Sequence, residues 1–323
     1  MQAIIHDAYG PLETLERRDI EPPQIGDREV LVRVHAAALH IGDVFAVEGT
    51  PFLVRLATGL RRPKHGVPGF DLAGTVTAVG GAVTRFAVGD EVFGAGFGTA
   101  AEYAKAKEDQ LVPKPVGLTW LQAAAIPTSG LAALHGLRDG GRIRSGQRVL
   151  INGASGGVGS FAVQIAKALG AHVTGVTSTA NVELVESLGA DEVIDYTRDD
   201  FTVQSRRFDL ILDNIENRKL ADVRRALAAK GTLVLNSGTG AGGIRMLIRL
   251  VRPIVLSPFS SQTMRRFVSN PNTADLLVLK ELADDGRLVP AIDRCYALDE
   301  TVAALRHIRG GHARGKVVLS VLG

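Results

Sequence analysis

The chain has one cysteine, Cys295, in 323 residues, with three methionines and one tryptophan. A lone cysteine excludes an internal disulfide framework and a cysteine-rich zinc site. So few sulfur ligands also leave no soft-metal cluster. No block of one charge stands out either. The 37 Lys+Arg and 34 Asp+Glu leave a formal net charge of +3, and no nucleic-acid footprint is expected. Two small basic knots, Arg61-Arg62-Lys64 and Arg245, Arg249, Arg252, read as solvated edges or anion contacts. A membrane span is missing: the longest apolar stretch, 246–259, is interrupted by Arg249, Arg252 and Pro253 and is far short of a bilayer. Met1–Asp7 has no charged segment followed by an apolar one, so no secretory signal is expected and the setting reads as cytoplasmic.

What is present is an ordinary globular composition, 46% apolar and 22% charged, long enough for two packed domains. The texture changes near residue 120. Before it, short alternating runs such as Val30–Val34, Thr75–Val79 and Glu91–Phe93 are separated by Gly and Pro, the pattern of an irregular β-rich domain. After it, strands expected at Arg148–Asn152, His172–Val176, Glu192–Tyr196, Phe208–Leu212 and Thr232–Asn236 alternate with helices expected from Val158, over Val182–Leu188 and over Leu220–Ala228. Such alternation means a parallel sheet with helices on both faces. The tail reads as helices over Asp275–Asp284 and Glu300–Ile308 and a closing strand over Val317–Val321, expected to rejoin the first domain.

Between the first of these later strands and its helix lies Gly153-Ala154-Ser155-Gly156-Gly157-Val158-Gly159. Glycines at this junction let the backbone turn tightly and approach a pyrophosphate, while the helix N-terminus offers free N–H groups and a positive dipole end. No Gly-Lys-Ser/Thr follows, which disfavours ATP chemistry. The next strand ends in Thr177-Ser178-Thr179-Ala180-Asn181, and no Asp or Glu occurs between Asn152 and Glu183. An acid there would bind a ribose 2′-hydroxyl. Hydroxyls and an amide receive a 2′-phosphate without repelling it, so NADP(H) is the expected cofactor, although no Arg or Lys stands in Gly175–Val182.

The glycine segment, with Gln164-Ile-Ala-Lys167, Leu169-Gly-Ala171, Leu188-Gly-Ala-Asp191, Val193-Ile-Asp-Tyr196, Gly69-Phe-Asp-Leu-Ala-Gly74, Val88-Gly-Asp-Glu-Val-Phe93, Ala123-Ala-Ala-Ile-Pro127 and His312-Ala-Arg-Gly-Lys316, resembles the medium-chain dehydrogenase/reductase superfamily in its zinc-free quinone oxidoreductase branch. The resemblance covers essentially the whole chain. It implies an α/β protein with a GroES-like β-rich catalytic domain over 1–123, completed by 266–323. A Rossmann domain with a doubly wound parallel sheet, binding NADP, would occupy 124–265, with the active site in the cleft and a homodimer as the assembly. Zinc-dependent relatives carry a cysteine where His40 stands, a Gly-His-Glu motif where Gly69-Phe70-Asp71 stands, and a four-cysteine lobe that is missing, so no catalytic zinc is expected.

The resemblance also implies site residues. His40, where an Asn is usual, would face the nicotinamide, orienting cofactor or substrate or donating a proton; the bland reading is a packed or solvent-facing histidine. Thr128 would lie near the nicotinamide. Ser178, Asn181 and Tyr196 would surround the 2′-phosphate, and Asn214 and Ser237 would end strands at the ligand edge. His312, Ala313, Arg314 and Lys316 would return to the cofactor; judged on sequence alone, Arg314 and Lys316 read equally as surface charges. Phe45, Phe52 and Phe70 line a pocket or belong to the core, and 244–259 shapes the acceptor side, covers the fold or forms a dimer surface. Tyr103-Ala-Lys-Ala-Lys107 has the Tyr-x-x-x-Lys spacing of short-chain dehydrogenases but precedes the glycine loop in a strand-like context, so it reads as chance, as does the single Arg309-Gly-Gly. Hydride chemistry belongs to the cofactor. Without a metal, an already activated acceptor fits best, so the expected activity is NADPH-dependent reduction of a quinone or an α,β-unsaturated carbonyl. The alternatives are an NADPH-binding structural or regulatory protein with little turnover, and an enoyl reductase acting in trans.

Overall fold

The computed structural model describes residues 1–236 and 260–322; Ser237 and the 244–259 segment lie outside the described residues. The chain divides into two compact units, Met1–Thr128 with Pro271–Gly323, and Ser129–Asn270.

The first unit is built on a sheet that takes strands from both ends of the sequence. Its long strand β3 (Glu29–Leu39) alternates until Ala36–Leu39, where every residue is buried. β3 pairs antiparallel with β4 (Asp71–Val79), β4 with β5 (Glu91–Ala95) and β5 with β7 (Leu111–Pro113); β6 (Tyr103–Lys107) also pairs with β3, and β1 (Gln2–Ile5) and β2 (Glu16–Asp19) form a separate antiparallel pair. The closing strand Lys316–Ser320 pairs antiparallel with β3, Val317 opposite Leu39 and Ser320 opposite Ala36. Small side chains explain the run of full burial. Ala38, Ala125 and Val318 form one cluster, so the helix Trp120–Ala125 lies directly on the sheet. Tyr103 and Lys107 stand on a strand, which confirms that their spacing is not the helical pair of short-chain enzymes.

The second unit is a six-stranded parallel sheet. With β8 (Arg148–Asn152), β9 (His172–Thr177), β10 (Glu192–Asp195), β11 (Phe208–Asp213), β12 (Leu227–Leu235) and β13 (Thr263–Arg266), the order is β10-β9-β8-β11-β12-β13. This is the doubly wound dinucleotide-binding order, with its switch point between β8 and β11. The middles of β8 and β11, Val149–Ile151 and Leu210–Leu212, are apolar and buried on both faces, as parallel strands covered by helices must be. Helix α1 (Gly157–Ala168) buries an unbroken run from Gly159 to Ala166.

One boundary departs from the periodicity. The helix expected to run to Ala228 stops at Ala226, and Leu227 turns extended at φ −80°, ψ 147°. Leu227 and Phe208 are 3% and 1% exposed and pair across β11 and β12. Burying both in the sheet outweighs one more half-turn of an alanine-rich helix.

The face that α1 turns to the sheet predicts its own sensitivity. Phe161 is fully buried, so Phe161→Ala should cost about 3–5 kcal/mol. Urea unfolding of the second unit's signal checks this.

Candidate functional site

In the second unit, the turn after β8 places its glycines for different reasons. Gly153 has φ +77°, and a Cβ there would come 2.7 Å from Ile215 Cδ1. At Gly159 a Cβ would meet the Gly153 carbonyl oxygen at 2.0 Å, so the start of α1 packs against the turn with no room for a side chain. Gly156 differs. It is the N-cap of α1, and a Cβ there would meet only the Gly153 oxygen at 3.5 Å. The protein itself does not require glycine at 156, and its lack of a side chain leaves the backbone there open to close approach. The N–H groups of Gly157, Val158 and Gly159 lie in the helix's first turn, where they have no partner within the helix. Ala154 is buried and Ser155 nearly so.

Beside this turn, polar side chains converge. Thr177 Oγ1 lies 2.8 Å from Ser155 Oγ, and Asn181 Nδ2 donates to Ser155 Oγ at 3.2 Å and Ser178 Oγ at 3.3 Å. Asn181 Oδ1 is buried without a partner. An orphan acceptor beside three hydroxyls suits a sugar–phosphate ligand that brings its own donors. Tyr196 holds Thr177 through its backbone, donating to the carbonyl at 2.9 Å, while its ring is 48% exposed. The next strand contributes an acid the sequence reading passed over. Asp195, paired in register with Thr177, accepts from Thr179 Oγ1 at 2.5 Å and from Thr197 Oγ1 at 2.7 Å. The Thr179 hydroxyl holds its carboxyl below the ordinary range.

At the carboxyl edge of the other central strands stands a row of amides. Asn214 Nδ2 donates to the Asn152 carbonyl at 3.1 Å, and Asn236 Nδ2 donates to Asn214 Oδ1 at 2.8 Å. Asn152 Nδ2 in turn donates to Asp213 Oδ1 at 2.7 Å. The same Asp213 oxygen accepts the N–H groups of Ile215 and Glu216. Glu216 has φ +55° and pairs with Arg266 at 2.6 Å.

The first unit holds a second centre, of charged groups removed from water. Asp71, 0% exposed, opens β4. Its Oδ1 accepts from Thr128 twice, from the backbone N–H at 3.0 Å and from Oγ1 at 2.5 Å. Thr128 lies in the first turn of the helix Pro127–His135, so Asp71 also answers that helix's N-terminal dipole. The Lys316 ammonium, 2% exposed, stands 3.5 Å from Asp71 Oδ2. Lys316 is therefore a buried partner of Asp71 and not a surface charge. Burial raises the Asp71 carboxyl above its ordinary value, opposed first by Lys316 and then by His40.

His40 caps the helix Ile41–Glu48. Asp43, three residues on and 0% exposed, accepts the His40 backbone N–H at 2.8 Å and sets Oδ2 3.4 Å from His40 Nδ1. Burial lowers His40 to about 4. Burial also pushes Asp43 up to about 7, against the His40 N–H and Lys316. The imidazole stacks on Phe70, centroids 6.0 Å apart, and its side chain keeps 20% exposure. Of the other phenylalanines, Phe45 is half-buried and Phe52 is 64% exposed. His312 and Arg314 are exposed in the turn before the closing strand, while Ala313 packs on the first unit's core. A His-x-x-Asp spacing at a helix start was the signal for Asp43, since an acid at the third helical position answers the cap's N–H.

Residues 26–116 match the model described as an alcohol dehydrogenase GroES-like domain, and residues 188–319 match one described as a zinc-binding dehydrogenase. The chain is 31% identical to a 2-methylene-furan-3-one reductase of Solanum lycopersicum, over 99% of this chain and 79% of that protein. It is 32% identical to the mitochondrial NAD(P)H oxidoreductase RTN4IP1 of Bos taurus, over 100% and 89%. The quinone oxidoreductase from Coxiella burnetii superposes with a TM-score of 0.85 at 30% identity, covering 100% of this chain and 99% of that one. A β-rich unit closed by the chain's own end, and a doubly wound sheet with a glycine turn, define a two-domain oxidoreductase served by a nicotinamide cofactor. The chain belongs to the medium-chain dehydrogenase/reductase superfamily, in its quinone oxidoreductase-like branch. Among the described residues, no group of three or more His, Cys, Asp or Glu is placed to hold a metal ion, and no helix is long and apolar enough to cross a membrane.

Two substitutions test the two centres. Gly159→Ala should weaken nicotinamide-nucleotide binding at least tenfold, read by fluorescence titration, because the turn must open to admit the methyl group. Lys316→Met should destabilise the first unit by about 3–5 kcal/mol, because it strands a buried carboxylate; thermal unfolding with and without the further change Asp71→Asn checks it, the double variant recovering part of the loss.

Proposed function

We propose that this protein reduces a quinone or an α,β-unsaturated carbonyl with NADPH and without a catalytic zinc. The observation that carries the reading is the His40–Asp43 pair beside Asp71, Thr128 and Lys316. Where zinc relatives set a thiolate and an imidazole, this chain sets His40 and Phe70, and Lys316 already brings to Asp71 the positive charge that a metal would supply. The names of the relatives, a furanone reductase and a quinone oxidoreductase, support the acceptor class.

The glycine turn, the α1 N-terminus and the Ser155–Ser178–Asn181 group fit the diphosphate and the 2′-phosphate of the cofactor, with Asn214 assigned to the ligand edge. When bound, the reduced nicotinamide supplies a hydride to the acceptor. Thr128 has committed its hydroxyl hydrogen to Asp71, so toward a ligand its oxygen only accepts, which suits the N–H of a carboxamide. His40 and Asp43 hold the proton. When Asp43 is protonated it donates to His40 Nδ1, leaving the neutral ring with hydrogen on Nε2, a donor for the acceptor's carbonyl oxygen. When Asp43 is ionised, Nδ1 carries the hydrogen and Nε2 only accepts. Asp195 works against a strong NADPH preference by placing a negative charge beside the 2′-phosphate group, and we assign the protein a modest one. The assembly we assign is a cytoplasmic homodimer.

Asp43 is raised, so its protonated form prevails below about 7 and is lost above it. With a carbonyl acceptor, kcat/KM should therefore be high below about pH 7 and fall on the alkaline side. Asp43→Asn should remove that limb; a profile unchanged by the substitution sinks the proton role. The activity itself is tested by titration with NADPH and NADH, then a panel of quinones and enones. Binding without turnover across the panel would leave a nucleotide-binding protein instead of a reductase. Asp195→Asn should raise the NADPH-over-NADH ratio about tenfold, equivalent to about 1.4 kcal/mol, in the same titration.

A further inference from the structure

A cavity of about 280 Å³ lies within the first unit, lined by Ala46, Val67, Phe70 and Phe97, with His6 and His65 among its polar residues. Phe70 joins it to the proposed reaction centre, since its other ring contact is the His40 stack. His65 stacks on Phe97 at 4.9 Å, which makes this wall flat and apolar. Ligand pockets run from about 300 to 1,000 Å³, so this cavity, at the small end, takes the body of a medium-sized acceptor and little more.

His6 and Pro63 also line an adjoining open groove, together with Arg62, Lys64 and Asp7. Arg61, Arg62 and Lys64 are all exposed. None of these three cations meets a carboxylate among the described residues. Asp7 does not neutralise them, because its Oδ2 accepts from Arg18 at 2.7 Å. The field here is positive enough to be felt nearby: after burial, Lys105 and Lys64 are what hold His65 below its ordinary value. An apolar cavity that opens beside uncommitted cations has the shape of a site for an amphiphile.

We propose that Arg62 and Lys64, with the exposed Arg61 next to them in sequence, form an anion-binding rim for the acceptor, and that the acceptor carries a phosphate or carboxylate beyond an apolar, electron-poor double bond. The inference rests on the reductase reading above and narrows its substrate class. Phosphate and carboxylate share the chemistry of the rim, and the choice of acceptors separates them.

The experiment uses the full chain with NADPH and acceptors matched at the reacting end: a neutral medium-chain enone, the same enone with a terminal carboxylate, and the octenoyl thioesters of N-acetylcysteamine and coenzyme A. We expect kcat/KM for at least one anionic member to exceed that of its neutral partner at least tenfold. The ratio should shrink with added salt. In Arg61→Ala/Arg62→Ala/Lys64→Ala it should fall toward unity, and Arg61→Lys/Arg62→Lys/Lys64→Arg should restore it. Neutral and anionic acceptors turned over alike, or a preference that survives the alanine variant, overturns the proposal while leaving the reductase reading intact. Turnover of no acceptor overturns the reductase reading. Calorimetric titration with octanoyl-coenzyme A and octanoate then judges the rim separately: saturable, salt-sensitive binding lost in the alanine variant upholds the anion site, and its absence removes it.

Discussion

A carboxylate and an ammonium facing each other out of reach of water dominate the first unit. Neither Asp71 nor Lys316 would be tolerated there alone, because an isolated ion in such surroundings costs several kcal/mol. Together with Thr128 they tie the first residue of β4 to the closing strand and to the helix that leads into the second unit. Their proximity sets the condition of the next acid. Asp43 is buried in the same region, and one lysine cannot serve two carboxylates equally. Lys316 stands beside Asp71, and burial pushes Asp43 up to about 7, where it holds a proton near neutral pH. His40, kept neutral by burial, is its neighbour at 3.4 Å and keeps part of its ring exposed.

The second unit solves a different problem with uncharged groups. The carboxyl edge of its sheet carries amides, hydroxyls and backbone N–H groups, and the acids close to it are engaged. Asp213 collects an amide and two N–H groups, and Asp195 is held by two threonines. Fixed dipoles of this kind suit a multiply charged ligand, since they need no reorganisation when it arrives. Only glycine meets both demands of the turn, a positive φ at Gly153 and close packing at Gly159.

Much of this was legible beforehand because it is periodic or sterically compelled. The β8–glycine–α1 junction announced itself by strand length, glycine spacing and helical recurrence. The convergence of Ser155, Ser178 and Asn181 was implied by the polar run after β9. Lys316 was harder. Sequence gave no sign that its charge is buried, because the partner, Asp71, lies at the far side of the chain and only the sheet brings them together. Asp195 escaped for a related reason: it sits on the next strand, beyond the segment where the ribose-binding acid is sought, and register places it beside Thr177. The helix end at Ala226 was missed because local propensity favours helix there while the pairing of Leu227 with Phe208 does not.

The closing strand of the first sheet follows its partner β3 in the chain by more than the whole length of the second unit. During translation Asp71 therefore has no ammonium opposite it while the entire doubly wound sheet is being made. The second unit, continuous in sequence, is complete before the first can close, which reverses the usual order of folding from the N-terminus. Until Lys316 arrives, Asp71 escapes the cost of an unpaired buried charge only by staying hydrated or by taking up a proton, and through that interval β3 lacks its closing partner.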